Sequence, residues 1–185
     1  MEKGNKIILG IDPGTNIMGY GIIEAVGKAL SLLKMDVLKF DPKTDAILRL
    51  RDIFIGTTQI IEEYNPDVVA IESQFYGKNV QSMLKLGRAQ GVAIAAAAQR
   101  GIPVFEYSPR KVKQAITGKG GASKEQVAGM LKHLIQINET IAYLDASDAV
   151  AIALCHHIQS TRMVTSTTYS GWSAFIAKQP DRVVK

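Results

Sequence analysis

The carboxylates best placed to do chemistry in this sequence stand at the ends of apolar runs. Ile7-Ile8-Leu9-Gly10-Ile11 stops on Asp12 before Pro13-Gly14, and Val68-Val69-Ala70-Ile71 stops on Glu72. Both runs read as strands, and in open α/β sheets sites form beyond the carboxyl ends of strands. A further pair, Asp145 and Asp148, stands in DASDAVAIALCHH, where a spacing of three puts both acids on one face of a helix near its first turn. Carboxylates gathered from two strands and a helix repel one another, and a hard divalent cation with oxygen ligands relieves that repulsion. Mg²⁺ suits such a site, because it keeps waters and takes a few carboxylates plus phosphate oxygens of a substrate. Two such ions, about 4 Å apart, could activate a water and stabilise the leaving oxygen of an in-line displacement at phosphorus. The acids therefore point to a magnesium-dependent nuclease.

Each acid also has a plain structural reading. An aspartate before Pro-Gly is a common turn residue. Asp145 could be an N-cap, and Asp148 a first-turn acid that complements the helix dipole. Glu72 is harder to explain that way, since Val68, Val69 and Ile71 predict burial, where an ionised carboxylate needs a cation or donors. Competing chemistries have less support. The chain contains no G-x-S-x-G, CxxC or HExxH pattern. Its lone Cys155 lies in an apolar helical pattern and reads as a core residue in a reducing compartment. His156 and His157 are neighbours on a helix and cannot both face one site, and His133 reads as a packed or surface residue.

Basic residues outnumber acidic ones by 22 to 17, for a net charge of +5, which is compatible with a polyanionic partner. Arg110, Lys111, Lys113, Lys119 and Lys124 crowd into one stretch with Gly118, Gly120 and Gly121. Lysines beside an acidic cluster can bind phosphates flanking a cut and stabilise transition-state charge, or they can simply be solvated. Phe75, followed by Tyr76-Gly77-Lys78-Asn79, suits a loop that stacks on unpaired bases; its alternative is a hydrophobic staple for the next helix.

The elements that must position these groups can be read from periodicity and punctuation. Strands are expected over Lys6 to Asp12, Gly19 to Val26, Ala29 to Phe40, Asp67 to Ser73 and Val104 to Tyr107, the first three as an antiparallel meander. Helices are expected from about Thr44 to Tyr64, Asn79 to Arg100, Pro109 onward after a Ser108 cap, Ser123 to about Gln136, and Asp145 to about Gln159. Strands first, then strands alternating with helices, predict an α/β fold, a mixed five-stranded sheet with helices on both faces. In the second helix Gly87, Ala89, Gly91 and the alanines after them favour close packing, within the core or against a second copy. Thr161 to Ser170 reads as a loose linker, and Trp172, Phe175 and Ile176 as one helical turn or part of a mobile tail. The length suits one domain over 1–160 with a tail over 161–185. No apolar run reaches the roughly eighteen residues of a membrane span, and the start lacks a signal-peptide core, so a cytoplasmic protein with no membrane partner is expected.

Four segments in collinear order, ILGIDPGTNIMGYGII, VVAIESQFYGKNVQSMLKLGRAQGVAIAAA, VFEYSPRKVKQAITGKGGASKEQV and LDASDAVAIALCH, together resemble the RuvC Holliday-junction resolvases of the ribonuclease H-like superfamily. The resemblance runs from Ile8 to His157. It implies that Asp12, Glu72, Asp145 and Asp148 are catalytic acids that bind Mg²⁺ or Mn²⁺, and that Lys113 and Lys124 lie near the scissile phosphate. Phe75 would stack on bases at the junction centre, with Lys78, Arg110, Lys111 and Lys119 as further DNA contacts. A homodimer would place two acidic sites on a two-fold-symmetric four-way junction and nick strands of like polarity, with some sequence preference, during recombination and repair. The nicks would leave 5′-phosphate and 3′-hydroxyl ends, and RuvA and RuvB would be partners.

Rival readings are an RNA-directed nuclease of the same superfamily, a junction-binding scaffold without catalysis, and an ATP-binding protein of the actin and sugar-kinase type. The last is suggested by Asp12-Pro13-Gly14-Thr15, but those proteins need two lobes and this length supplies one.

Overall fold

The computed structural model describes residues 5–27, 29–73, 79–135 and 144–165, with side chains through Thr161. Five strands, β1 (Lys6–Asp12), β2 (Ile17–Val26), β3 (Ala29–Lys39), β4 (Val68–Glu72) and β5 (Val104–Tyr107), form one sheet in the order β3-β2-β1-β4-β5. The first three pair antiparallel, while β4 runs parallel to β1 and to β5. This is the mixed sheet expected from the sequence. The helices are α1 (Ala46–Tyr64), α2 (Val80–Gln99), α3 (Pro109–Thr117), α4 (Lys124–Leu134) and α5 (Leu144–Thr165). None among the described residues is long and apolar enough to cross a membrane.

Side chains alternate across a strand, and the alternation sorts the core into two layers. Leu9, Ile11, Ile22, Val69 and Ile71 pack against Ile53 and Ile60 of α1 and Ala89 and Ala93 of α2. On the opposite face Ile8, Ile23, Val68 and Ala70 meet Val112 and Ile116 of α3, Val127 and Leu131 of α4, and Val150 to Cys155 of α5. Burying one large aliphatic side chain is worth about 1.5–3 kcal/mol, against about 1 kcal/mol for a helix cap, so these layers rather than the caps hold the sheet.

The caps set the boundaries instead. The Asp45 side chain accepts from the Ile47 and Leu48 amides, and α1 ends where Asn65 turns left-handed at φ 44° ahead of Pro66. Ser108 caps α3 with Pro109 in the first turn, and Gly118 closes that helix at φ 77°. Ser123 and Gln126 form a reciprocal capping box at the start of α4.

Helix α5 departs from expectation at both ends. It begins at Leu144, so Asp145 lies inside the first turn, and it continues through Thr165 into the stretch read as a linker. Two of its hydroxyls bond within the helix: Ser160 Oγ and Thr161 Oγ1 donate to the His157 carbonyl at 3.0 and 2.8 Å. A polar run can thus stay helical without looking so in sequence. Trp172, Phe175 and Ile176 lie outside the described residues.

What seats α5 on the sheet is glycine. A Cβ on Gly10 would lie 2.0 Å from the Ala149 carbonyl oxygen, one on Gly19 2.1 Å from that of Asp145, and one on Gly21 2.8 Å from the Val150 nitrogen. Gly10 pairs with Gly21 and Asp12 with Gly19 across β1 and β2. These positions form a bare patch on which the helix backbone rests directly.

Candidate metal centre

Asp12 and Glu72 come together because β1 and β4 are parallel neighbours. Their register matches Gly10 with Ala70 and Ile11 with Ile71, and one step further the two acids end their strands side by side. Both share a sheet face with Ile8 and Gly10 on one strand and Val68 and Ala70 on the other, the face that α5 covers. The glycine patch then brings the first turns of α5 over the end of β1. One carboxylate oxygen each from Asp12, Asp145 and Asp148 can be chosen so that all lie within 4.8 Å of one another. Glu72 completes the set by lining the same cavity as Asp12 and Asp148. The structure thus unites all four acids singled out in the sequence.

The electrostatics show how poorly this cluster tolerates its own charge. Burial, followed by the charges of Glu72, Asp148 and Asp145, pushes the Asp12 carboxyl up to about 8, with Lys124 pulling the other way. Glu72 is also raised, by burial and then by Asp148, while Lys124, the bond to Asp12 and Lys113 oppose the shift. Both carboxyls thus resist ionisation, from burial and mutual repulsion, when no cation offsets their charge. Lys124 donates to Asp148 at 2.5 Å, and this bond holds its ammonium above the usual lysine range.

A cavity of about 340 Å³ opens over the cluster, lined by Asp12, Glu72, Asp148, Lys113 and Lys124, with Leu86, Val112, Val127 and Ile152 among its apolar walls. Oxygen donors alone, crowded and short of positive charge, fit a hard divalent cation and not the nitrogen and sulfur chemistry of zinc. Asp12, Asp145 and Asp148 would be its ligands, with Glu72 beside them.

The other basic residues divide. Arg110 is exposed and packs over Gly120, where an added Cβ would meet its Cγ at 2.7 Å. Lys111 does not line the acid cavity, and its Nζ lies 5.2 Å from the centre of the Tyr107 ring. Lys119 is exposed in the α3–α4 turn, and its backbone bonds the Thr117 hydroxyl. Phe75 and Lys78 lie outside the described residues. His156 is buried with Nδ1 2.8 Å from the Tyr107 hydroxyl, and burial lowers its pKa to about 4, so it is a neutral core group. His133 is exposed.

Sequence reasoning passed over two contributors. The glycines stood inside the quoted segments, but isolated glycine in a strand reads as a weak point unless one asks what approaches it. Arg49 of α1 was missed too. Its Nη1 donates to Asn16 Oδ1 at 2.9 Å, tying α1 to the turn that follows Asp12.

Three comparisons place this architecture among known proteins. A profile of the family described as crossover junction endodeoxyribonuclease RuvC matches residues 8–156. The crossover junction endodeoxyribonuclease RuvC of Cytophaga hutchinsonii is 51% identical over 97% of this chain and 88% of its own length, and that of Bacteroides fragilis is 52% identical over 96% of both. The solved structure of T. thermophilus RuvC in complex with a Holliday junction substrate is 35% identical, with a TM-score of 0.79 over 86% of this chain and 97% of that one.

Proposed function

The chain belongs to the crossover junction endodeoxyribonuclease RuvC family, and from that membership we propose that it resolves four-way DNA junctions by paired, symmetric, metal-dependent nicks. The observation that carries this reading is the meeting of Asp12, Glu72, Asp145 and Asp148 with Lys113 and Lys124 at the carboxyl ends of β1 and β4. In the reaction a water oxygen attacks the scissile phosphorus in line, the bond to the 3′ oxygen breaks, and a 5′-phosphate and a 3′-hydroxyl remain. Mg²⁺, two ions per site with Mn²⁺ able to substitute, would supply Lewis acidity to the attacking and leaving oxygens. The chain's own part is to hold that chemistry in place. Asp12, Asp145 and Asp148 would hold the ions with Glu72 beside them, and Lys113 and Lys124 bind non-bridging phosphate oxygens as charge develops.

The wider assembly follows from the same reading. A two-fold substrate calls for a two-fold enzyme, and we assign the dimer face to α2. A Cβ on Gly87 or Gly91 would meet nothing within 4 Å, and Val80 and Leu84 are exposed on the same helix. Phe75 and Lys78 are proposed to reach the junction centre, Arg110, Lys111 and Lys119 to make outer DNA contacts, and RuvA and RuvB to be partners in the cytoplasm. The nuclease unit is proposed to occupy 1–160, with 161–185 as a tail that α5 enters.

The test is incubation with end-labelled four-way junction, matched duplex and RNA–DNA hybrid, each with Mg²⁺ or EDTA. Symmetric nicks on the junction that require Mg²⁺ are expected. Cutting of the hybrid alone would reassign the chain to RNA, and junction binding without cutting in any divalent ion would make it a scaffold.

A further inference from the structure

A second cleft lies on the other layer of the sheet, and none of the DNA contacts assigned above falls in it. Thr15, Arg49, Lys85 and Arg88 surround a floor that includes Leu50 and Ile53. No acid lines it. Lys85 and Arg88 are exposed, stand three apart on one face of α2, and make no ion pair among the described residues. Arg49 spends one guanidinium nitrogen on Asn16 and keeps the rest of its donor fork. Three cations converging without a counter-charge make a site for a polyanion.

The position of this cleft says which polyanion. Thr15 is three residues past Asp12 in the same turn, and Leu86, between Lys85 and Arg88 in sequence, belongs to the wall of the acid cavity. One turn of α2 therefore divides the two openings. A strand with its scissile phosphate at the acids meets Lys113 and Lys124 on the α3–α4 side and this cleft on the α1–α2 side. We propose that Arg49, Lys85 and Arg88, with the Thr15 hydroxyl, form a phosphodiester-binding cleft that grips the DNA backbone flanking the cut. The assignment rests on the junction-cutting reading and adds to it a second, opposed backbone clamp. A guanidinium fork matches two phosphate oxygens at once, and Arg49 is held in place by Asn16 to offer it.

The experiment measures four-way junction binding by fluorescence anisotropy in EDTA across a salt series, for the wild type, for Lys85→Ala/Arg88→Ala, and for Lys85→Glu/Arg88→Glu. Both side chains are exposed, so the variants are expected to fold; far-UV circular dichroism checks this, and Arg49→Lys, which keeps charge but loses the fork, gives an independent reading. Each phosphate contact contributes a salt slope of about 0.9, so the alanine pair should lower the slope by about 1 to 2 and weaken binding roughly tenfold, with the glutamate pair weaker still. Wild-type affinity and slope in both pairs would overturn the proposal, as would inorganic phosphate protecting the cleft while junction affinity stays unchanged in the variants. If the wild type fails to cut junctions yet the pairs still flatten the salt slope on duplex DNA, the junction reading falls and the backbone cleft stands.

Discussion

Lys124 of α4 and Asp148 of α5 meet at 2.5 Å across the mouth of the acid cavity, with their side chains 53% and 23% exposed. The ammonium thus sits where the carboxylates most need positive charge in the metal-free protein.

This gives Lys124→Met opposite effects on two quantities. Junction cutting should slow by about 10²-fold, the usual loss for one donor to transition-state charge. Apparent Mn²⁺ affinity, measured by calorimetry at pH 8.5, should rise because a competing cation is gone. A fall in both would mean that Lys124 supports the ligand geometry and does not compete for it.

Asp12→Asn should abolish cutting with junction binding nearly intact, and it should alter stability in a pH-dependent way. The folded Asp12 carboxyl titrates near 8, against 3.8 for a free one. Between those values the folded state binds more protons than the unfolded state, so the metal-free wild type loses stability as pH rises from about 4 to about 8. The asparagine variant should lack that loss and melt higher than the wild type at pH 8.5 in EDTA. Mg²⁺ should raise the melting temperature of the wild type and leave the variant nearly unmoved. An identical EDTA profile for both proteins would mean that the folded Asp12 carboxyl is not raised.

His156 works at the acid end. Its folded imidazole resists protonation until about 4, whereas an unfolded one takes a proton near 6.5. The unfolded state binds more protons in that window, so stability falls as pH drops from 6.5 to 4. His156→Phe should flatten this limb in denaturant titrations. At neutral pH it should cost about 1–3 kcal/mol by leaving the Tyr107 hydroxyl without its partner.

Gly19→Ala tests the seating of α5. Its Cβ would fall 2.1 Å from the Asp145 carbonyl, so helix and strand must part, at a cost of about 1–3 kcal/mol or more. Cutting should fall further than stability alone explains, because Asp145 and Asp148 move with the helix. Gly129→Ala in α4, where an added Cβ meets nothing within 4 Å, should instead stabilise by about 1 kcal/mol. Wild-type activity in Gly19→Ala would show that α5 can shift without harm to the acids.

Much of this site was legible in the sequence because it is built from strand ends. Period-two alternation puts Asp12 and Glu72 on one face as soon as Ile8 and Val68 are placed in the core, and the three-residue step from Asp145 to Asp148 puts both on one helix face. That Lys111 does not line the acid cavity was not legible: Lys111 and Lys113 are two residues apart on α3, and only the packing of Val112 shows which of them meets the acids. Arg49 and Lys85 were hidden for another reason. They stand 36 residues apart on different helices, and charge on a solvated helix face carries no mark of what the neighbouring helix presents.

The bare patch of Gly10, Gly19 and Gly21 also bears on which ion the site can use. Where a helix rests on side chains, it can roll by a rotamer change and let its ligands spread around a larger cation. Here main chain lies close against main chain, so the spacing between the acid of β1 and the acids of α5 is set by backbone contact and not by the rotamers of intervening side chains. Mg²⁺ draws oxygens to about 2.0–2.1 Å and Ca²⁺ to about 2.3–2.6 Å. Any choice between them would then depend on the sheet as well as on the carboxylates themselves.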